Sequence, residues 1–224
     1  MIGLIGDIHG NFEALNAHMR NHPEIKAWIQ VGDLGGEKIA YEDLVSPCYF
    51  ISGNHENWDA IESIAQNKGP KNLIHIRNGS LVNIQGLNAI GFGGNYSQKF
   101  FEYKQKDLPQ GRRRHFVQEQ FELALDNKLQ TNVDLLITHE APSPFIKNWR
   151  GSEMDVGNAY IAALVTATEP KFHFFGHHHF RSNRQIGATQ SIGLCYGEHG
   201  FYTLCPKTLD IIHIDKDCRI DRDL

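Results

Sequence analysis

Cysteine is scarce in this sequence, and no hydrophobic run is long. The four cysteines, Cys48, Cys195, Cys205 and Cys218, form no Cys-x-x-Cys pair, a spacing that is typical of many zinc and redox sites. We therefore expect buried free thiols in a reducing compartment, with a disulfide among the last three as the alternative. A transmembrane helix needs about 18 consecutive apolar residues, and no segment reaches that length. The sequence thus predicts neither a membrane span nor a membrane partner.

The sequence also has no strong net charge, and we expect no cleavable leader segment. The 224 residues carry a net charge of −4, so no overall field draws the chain toward nucleic acid or an anionic membrane. The first predicted strand begins directly after Met1, which leaves no room for a cleavable signal peptide. We therefore expect a cytoplasmic location. With 41% hydrophobic residues and no internal repeat or linker, we expect a single domain over residues 1–224.

Short apolar runs alternate with helical patterns along the first third of the chain. Each run ends in a polar loop and is predicted to be a buried strand. The predicted strands are 2–5, 27–31 and 48–53. Helices are predicted between Asn11, the expected N-cap, and Pro23, and over 37–45 and 59–66. Such alternation is typical of a layered α/β domain.

The rest of the chain continues with strands, a long loop and two further helices. A hairpin is predicted from strands 81–85 and 88–93, and residues 95–111 are predicted to form a long irregular loop. A helix over 115–129 would present four apolar residues on one face, namely Val117, Phe121, Leu125 and Leu129. Further predictions are strands over 133–138 and 171–176, a helix over 158–168, an irregular stretch over 143–156 and several short strands over 186–214.

Ligand-type side chains follow five of the predicted strands, at the point where each strand ends. The residues are Asp7, His9, Asp33, Asn54, His55, His139, His177 and His179. A small residue precedes each polar loop, four times a glycine and once Thr138, which lets the chain turn sharply and brings the side chains to one edge. Open α/β sheets bind their ligands at that edge. Carboxylates, imidazoles and an amide oxygen are donors that suit manganese, iron or zinc.

Each of these residues taken alone also has a purely structural explanation. A lone histidine is more often a hydrogen-bonded polar residue than a metal ligand. Asp33 can cap the following helix, and Asn54 can be a turn residue. A structural role is also the better interpretation of four other histidines, His18, His22, His75 and His173. Structural roles do not explain five independent strand ends that all carry ligand-type residues, so together these residues predict a metal site.

Five segments of the chain resemble the motifs of a known superfamily. In order, GDIHGN, GD, GNHE, THE-AP and GHHH are similar to the five-block signature of the calcineurin-like metallophosphoesterases, and they span Asp7 to His179. The resemblance implies a four-layer αββα sandwich with a dinuclear metal site at the carboxyl ends of the strands. It also implies a hydrolase that acts on phosphate esters, as a phosphatase or a phosphodiesterase.

The same resemblance implies a role for each ligand-type residue. The implied ligands of a first metal ion are Asp7, His9, Asp33 and His179. Asp33 would bridge to a second ion, and the remaining ligands of that ion would be Asn54, His139 and His177. His55 would bind no metal and act on the substrate, while His178, between two ligands, should point elsewhere. We expect manganese in both positions, with iron or zinc as the alternatives.

The implied site contains the parts needed to hydrolyse a phosphate ester. Two divalent ions about 3.5–4 Å apart can hold a shared hydroxide at neutral pH and clamp a phosphate group for in-line displacement. Because His55 adjoins the ligand Asn54, it would protonate the leaving oxygen or stabilise the charge of the transition state. Asp59 or Glu56 is the candidate for orienting His55.

Two departures from related families bear on the substrate. Ser/Thr protein phosphatases and dinucleoside polyphosphatases carry Asp-Arg-Gly three residues after the bridging aspartate, whereas Asp33 is followed by Leu34-Gly35-Gly36. The chain therefore lacks their phosphate-clamping arginine and the aspartate that orients their catalytic histidine. The GNHE spacing, GFGGNY, THE-AP and the aromatic loop resemble RNA lariat debranching enzymes, but that branch has cysteine where Asp7 stands.

We therefore expect a phosphoesterase that acts on a phosphate mono- or diester of a small molecule or nucleotide. One alternative is a nuclease or debranching-like phosphodiesterase that acts on a polynucleotide, and another is a Ser/Thr protein phosphatase-like enzyme. A non-catalytic scaffold of the same fold is the weakest alternative, because all seven implied ligands and His55 are present.

Candidates for substrate binding lie in the middle of the chain. The only concentrated positive charge consists of Arg112, Arg113 and Arg114. Arginine side chains fit phosphate oxygens, so this run predicts either a phosphate or nucleic-acid clamp or the solvated first turn of a helix. Tyr96 and its aromatic neighbours in the long loop either stack on a base or pack the loop down. Arg150 and His199 are further candidates for the substrate pocket.

Overall fold

The computed structural model describes residues 1–149 and 151–214, so Arg150 and Cys218 lie outside the described residues. Over these ranges the chain forms fourteen β-strands and four α-helices. The helices are α1 (Phe12–Asn21), α2 (Trp58–Ala65), α3 (Gln118–Gln130) and α4 (Ala159–Thr168). The strands are β1 (Ile2–Ile5), β2 (Ala27–Gln30), β3 (Cys48–Phe50), β4 (Leu73–His75), β5 (Leu81–Ile84), β6 (Leu87–Phe92), β7 (Leu135–Thr138), β8 (Ile146–Trp149), β9 (Ser152–Asp155), β10 (Phe172–Phe175), β11 (Ser182–Ile186), β12 (Thr189–Gly193), β13 (Phe201–Leu204) and β14 (Ile211–Ile214).

Two six-stranded sheets contain most of these strands. The first has the order β14-β13-β1-β2-β3-β4, and the second has the order β11-β12-β10-β7-β6-β5. Neighbouring strands from β1 to β4 are parallel, as are the neighbours β12, β10, β7 and β6. The carboxyl ends of β1, β2 and β3 therefore lie at one edge of the first sheet, and those of β7 and β10 lie at one edge of the second.

The two sheets pack face to face through alternate residues of their central strands. Ile2 and Leu4 of β1 share one hydrophobic cluster with Leu135 and Ile137 of β7 and Phe174 of β10. All five side chains are fully buried. Because successive strand residues point to opposite faces, the residues between them point outward, toward the helices. The apolar runs are continuous for this reason, since both faces of each central strand are covered.

The helices cover the outer faces of the sheets and complete four layers. Trp28 of β2 packs in a cluster with Phe12 and Leu15 of α1. On the other side, Leu136 of β7 packs in a cluster with Ile161 of α4. The layers therefore run helix, sheet, sheet, helix, which confirms the predicted αββα sandwich.

Two helices begin at the asparagines that the sequence suggests. The Asn11 side-chain oxygen accepts a hydrogen bond from Ala14 N at 3.1 Å, at the start of α1. The Asn158 side-chain oxygen accepts from Tyr160 N at 2.8 Å, at the start of α4. Each cap satisfies a backbone donor that has no partner within its helix.

Residues 37–45 do not form the predicted helix. Their backbone groups bond to distant segments instead. Leu44 N donates to Lys71 O at 3.1 Å, and Val45 N donates to the side-chain oxygen of Asn16 at 2.9 Å. Because these tertiary bonds use the backbone donors that a helix would need, they override the local helical pattern.

The third helix differs from its prediction at both ends. It begins three residues later, with Val117 as its N-cap residue, because His115 is buried and stacks on Phe100 with ring centroids 5.3 Å apart. Leu129 is 85% exposed, whereas Ala124 is fully buried. The predicted apolar stripe was therefore wrong at its last member.

Residues 143–156, predicted to be irregular, contain the β8–β9 hairpin. Ile146 pairs with Asp155 in an antiparallel register, and Gly151 adopts φ +83° in the turn, a conformation that glycine tolerates. All four residues of β9 are exposed. Without a buried face there is no alternation of polar and apolar residues, so the usual signal for a strand is missing.

The thiols only partly match the prediction. Cys48 and Cys205 are free, and Cys48 is buried. Cys195 is disulfide-bonded, so the expectation of free thiols was wrong at that position. In the described part of the chain, every helix is too short or too polar to cross a membrane.

Candidate metal centre

A buried carboxylate lies at the centre of the first group of ligand-type residues. Asp7, two residues beyond β1, is fully buried. Its Oδ2 lies 3.0 Å from His179 Nε2 and 4.0 Å from His9 Nε2. The two imidazole nitrogens are 3.4 Å apart. One ligand atom from each of these residues therefore lies within 4.8 Å of the other two, although 170 residues separate His9 from His179.

Asp33 lies between this group and the remaining ligand-type residues. Its Oδ2 is 3.9 Å from His9 Nε2, and its Oδ1 is 3.5 Å from His139 Nε2. The side-chain oxygen of Asn54 is 3.0 Å from the same nitrogen of His139, and the ring of His177 lies with its centroid 4.9 Å from that of His139. Asp33 thus contacts a histidine from each sheet.

The donor set fits divalent metal ions. Seven residues supply two carboxylates, one amide oxygen and four imidazoles, and Asp7, Asp33 and His139 form a second group with ligand atoms within 4.8 Å. His139 Nδ1 donates a hydrogen bond to Val31 O at 3.0 Å, which leaves Nε2 free to face Asp33 and Asn54. Metal-binding histidines are commonly oriented in this way by their other ring nitrogen.

Four of the seven candidate ligands adopt backbone conformations that side chains normally avoid. The φ angles are +45° at His9, +53° at Asp33, +65° at His177 and +57° at His179. Each such residue costs about 1–3 kcal/mol and persists only where the surroundings enforce it. The loops are fixed by hydrogen bonds such as that from His9 N to Asp33 O at 2.9 Å. Strain of this kind concentrates at functional sites.

Two glycines confirm why small residues precede the loops. At Gly32, with φ +98°, a Cβ would collide with the imidazole of His139. At Gly176 a Cβ would collide with the carboxylate of Asp7. The backbone therefore approaches the candidate ligands so closely that any side chain at these positions would displace them.

Burial and charge set the protonation of the cluster. Burial raises the pKa of Asp7, but the hydrogen bond from His179 and the charge of His139 outweigh it, and the net pKa is lowered. Burial lowers the pKa of His139, but the carboxylates of Asp7 and Asp33 outweigh it, and the net pKa is raised. Burial lowers the pKa of His177 to about 3. Ionised carboxylates and neutral imidazoles are the forms that bind metal.

His55 lies at the open side of the cluster. It is exposed, its backbone N donates to Asp33 Oδ1 at 2.7 Å, and its ring centroid lies 6.0 Å from that of His9. His178, between the candidate ligands His177 and His179, stacks instead on the ring of Phe145, with centroids 5.1 Å apart. His55 thus remains available to a molecule bound at the cluster.

Glu56, one of two candidates for orienting His55, is engaged elsewhere. Its carboxylate accepts hydrogen bonds from the backbone of Leu34, Gly35 and Gly53 at 3.2, 3.3 and 2.9 Å, and from the hydroxyl of Tyr41. Burial raises the pKa of Glu56 to about 7. Its role is therefore to join the loop after β2 to the loop after β3.

Tyr196 was not predicted to belong to the site. Its ring stacks on that of His179, with centroids 3.8 Å apart and planes 24° apart, and lies 5.8 Å from that of His9. His199 is a further neighbour, with ring centroids 6.0 Å from Tyr196. Tyr196 follows β12, in a region where the sequence predicted only short strands.

The three arginines of the basic run lie in three different surroundings. Arg113 forms an ion pair with Glu62 on α2, and the guanidinium of Arg112 lies 5.6 Å from the ring centroid of Phe100. Arg114 lines a cleft that also contains Asn54. The run is therefore not a single basic patch.

Tyr96 is part of the packing on the outer face of the second sheet. Its ring centroid lies 5.6 Å from that of Phe101, 5.9 Å from that of Phe116 and 5.0 Å from that of Tyr160. The aromatic residues thus pack the long loop down, which was the structural alternative for this loop. His173 is likewise structural, since Thr138 and Ser191 hydroxyls each lie 2.8 Å from its ring nitrogens.

The four-layer fold with this cluster at the strand ends defines a metal-dependent hydrolase of phosphate esters. The sequence model of the calcineurin-like phosphoesterases matches residues 1–181, and the chain belongs to that family. This confirms the resemblance and the enzyme class that the motifs predict. A search of curated protein sequences found no match.

Solved structures with low sequence identity share the fold. A Thermus thermophilus protein is 11% identical, with a TM-score of 0.66 over 96% of this chain and 97% of its own. A dimetal phosphatase from Danio rerio is 12% identical, with a TM-score of 0.58 over 96% and 98%. The phosphopantetheinyl hydrolase of Mycobacterium tuberculosis is 12% identical, with a TM-score of 0.50 over 88% and 89%.

Proposed function

We propose that this protein hydrolyses a phosphate mono- or diester of a small molecule or nucleotide at the cluster described above. The observation that carries the proposal is the convergence of ligand atoms from both sheets around Asp7 and Asp33, within 4.8 Å in each group. Membership of the calcineurin-like phosphoesterase family supports the same reaction class.

The proposed ligands divide into two sets that share Asp33. The first set is Asp7, His9, Asp33 and His179, and the second is Asp33, Asn54, His139 and His177. The contacts of Asp33 with His9 at 3.9 Å and with His139 at 3.5 Å support its bridging role. Oxygen and imidazole donors favour manganese, with iron or zinc as alternatives. Bound ions of this kind would supply a nucleophile at neutral pH and withdraw charge from the phosphate.

His55 is the proposed catalytic residue. Its imidazole is exposed at the cluster, and the hydrogen bond from its backbone N to Asp33 fixes its position relative to the ligands. An imidazole so placed can hold a proton for the leaving oxygen and stabilise negative charge on the phosphate. Asp59 remains the proposed partner for orienting it, since the carboxylate of Glu56 is engaged with backbone amides.

A polynucleotide substrate receives less support from these contacts. Two members of the basic run are engaged with Glu62 and Phe100, and the chain has a net charge of −4. Nucleic-acid binding normally uses several unpaired cations along one surface. A small substrate that needs a single arginine fits these observations better.

Turnover of two chromogenic esters tests the proposal. We expect hydrolysis of para-nitrophenyl phosphate, bis-para-nitrophenyl phosphate or both after addition of manganese, and loss of that activity with a chelator. The ratio of the two rates separates a monoesterase from a diesterase. Arg20→Ala, at an exposed residue in the last turn of α1, is the control variant. Absence of chelator-sensitive hydrolysis with manganese, iron or zinc would overturn the proposal.

A further inference from the structure

A cleft of about 320 Å³ adjoins the candidate metal centre. The cleft is lined by Asn54, by the first residues of α2 and by the segment before α3. The side chains on which the inference depends are Trp58, Asp59, Glu37, Gln110 and Arg114. This volume is at the lower end of the range for small-molecule sites, so the cleft suits one compact group rather than a polymer.

Arg114 is the unpaired cation of this cleft. Its Nε is buried, and none of the described residues accepts a hydrogen bond from it. Buried donors are nearly always satisfied by protein, water or ligand. Arg113, its neighbour, forms an ion pair with Glu62 instead. Because Arg114 also lines the cleft, its guanidinium can contact a phosphate oxygen bound beside Asn54.

Trp58 supplies an aromatic wall that is already held in position. As the first residue of α2 it packs against the hydrophobic cluster of the first sheet, and it also lines the cleft. Neighbouring polar groups are engaged: the Asn57 side chain bonds to Ile39 O and Ala60 N. The ring of Trp58, which is partly exposed, is therefore available to stack on a planar group.

The charge of the remaining wall limits what the planar group can be. Glu37 and Asp59 are exposed carboxylates at the cleft, and Gln110 is an exposed amide. Glu56, which is buried, is a third carboxylate of the lining, and with three carboxylates against one arginine the cleft disfavours a polyanion. Carboxylates and an amide accept hydrogen bonds well from hydroxyl and amino groups.

We propose that the cleft binds the nucleoside half of a nucleoside monophosphate ester. The base stacks on Trp58, the sugar hydroxyls or base amino group reach the carboxylates and Gln110, and Arg114 contacts the phosphate. This deepens the proposed function and rests on it for the position of the phosphate. Stacking of a base on an aromatic side chain is sequence-tolerant, so the site is expected to accept more than one base.

Binding to metal-free protein tests the cleft without requiring turnover. Adenosine, ribose and adenosine monophosphate are titrated by calorimetry into protein kept in chelator. We expect adenosine to bind and ribose not to bind. Trp58→Ala should weaken adenosine binding about 10- to 100-fold, while Trp58→Phe should retain most of it and guards against a folding defect.

A second comparison tests whether Arg114 contacts the phosphate. Arg114→Gln should weaken binding of adenosine monophosphate about 10-fold and leave binding of adenosine unchanged. Arg113→Gln is the matched control, because its partner is Glu62, and it should bind both ligands like the wild type. Equal effects of the two arginine variants would overturn the assignment to Arg114.

The outcomes separate the two proposals. If para-nitrophenyl esters are hydrolysed but adenosine fails to bind at millimolar concentration, the nucleoside cleft is refuted and the phosphoesterase proposal stands. If adenosine binds through Trp58 but no ester is hydrolysed, the cleft stands and the proposed reaction is refuted. Binding of adenosine that is unchanged in Trp58→Ala also refutes the cleft.

Discussion

Replacing Glu56 with glutamine tests how much the hydrogen bonds and the charge of this residue contribute to the stability of the protein. Glu56→Gln keeps the size of the side chain but removes its charge. The amide oxygen can replace Oε1, which accepts from Leu34 N and Gly53 N. The amide nitrogen would face Gly35 N, which donates to Oε2 in the wild type. One buried backbone donor is then unsatisfied, at a cost of about 1–3 kcal/mol at any pH.

The charge gives the substitution a second effect, which depends on pH. Burial raises the pKa of Glu56 from 4.5 to about 7 in the folded protein, so the folded form holds this proton more tightly than the unfolded form does. The stability that it contributes is fully present below pH 4.5 and is lost as the pH rises through 7. At 1.36 kcal/mol per pKa unit, the wild type should lose about 2–3 kcal/mol from this residue between pH 5 and pH 8.

Urea unfolding of the metal-free proteins at pH 5 and pH 8 measures both effects. At pH 5 we expect Glu56→Gln to be less stable than the wild type, and at pH 8 we expect the difference to shrink by about 2–3 kcal/mol or to reverse. Glu13→Gln, which removes an exposed carboxylate on α1, is the control, and a pH-dependent difference of the same size in that variant would contradict the assignment to burial. A difference for Glu56→Gln that is the same at both pH values would refute the reasoning.

Three further predictions concern the candidate metal centre. His55→Ala should retain about two bound ions but reduce turnover about 10²–10⁴-fold, and loss of metal, measured by elemental analysis, would make His55 a ligand. Asp33→Asn should lose both ions together, so retention of two in the same measurement would contradict its bridging role. Tyr196→Ala should weaken binding of one ion about 10-fold, since loss of a contact that orients a metal-binding histidine typically acts at that level. Tyr196→Phe keeps the stacked ring and should bind metal normally in the same titration, whereas equal weakening would implicate the hydroxyl instead.

The fold was largely predictable because its central strands are covered on both faces. The apolar runs at β1, β2, β7 and β10 have no competing interpretation once each ends in a small residue and a polar loop. The proximity of Asp7 and Asp33 could be anticipated as well, because the carboxyl ends of neighbouring parallel strands meet at a sheet edge. The approach of His179 depends on how the two sheets pack. Gly32 and Gly176 admit His139 and Asp7, which are candidate ligands from the opposite sheet.

Features that depend on contacts between distant segments were not predictable. Tyr196 reaches His179 from the turn after β12, and its position depends on how the edge of the second sheet meets the first. The ion pair of Arg113 and the cleft lined by Arg114 depend on the approach of α2 to the segment before α3. Residues 37–45 have a helical pattern but bond to other segments. In each case local sequence carries no information about the partner.

The candidate ligands come from both halves of the sandwich, and this division has a consequence for folding. Asp7 and Asp33 follow strands of the first sheet, whereas His139 and His179 follow strands of the second. An ion held by ligands from both sheets is a cross-link between them, and it binds only after the sheets have docked. At a free concentration 100 times its dissociation constant, such an ion adds about 2.7 kcal/mol to the free energy of unfolding. Chelation would therefore lower the free energy of unfolding. The same ions would take part in catalysis and stabilise the packing of the two sheets.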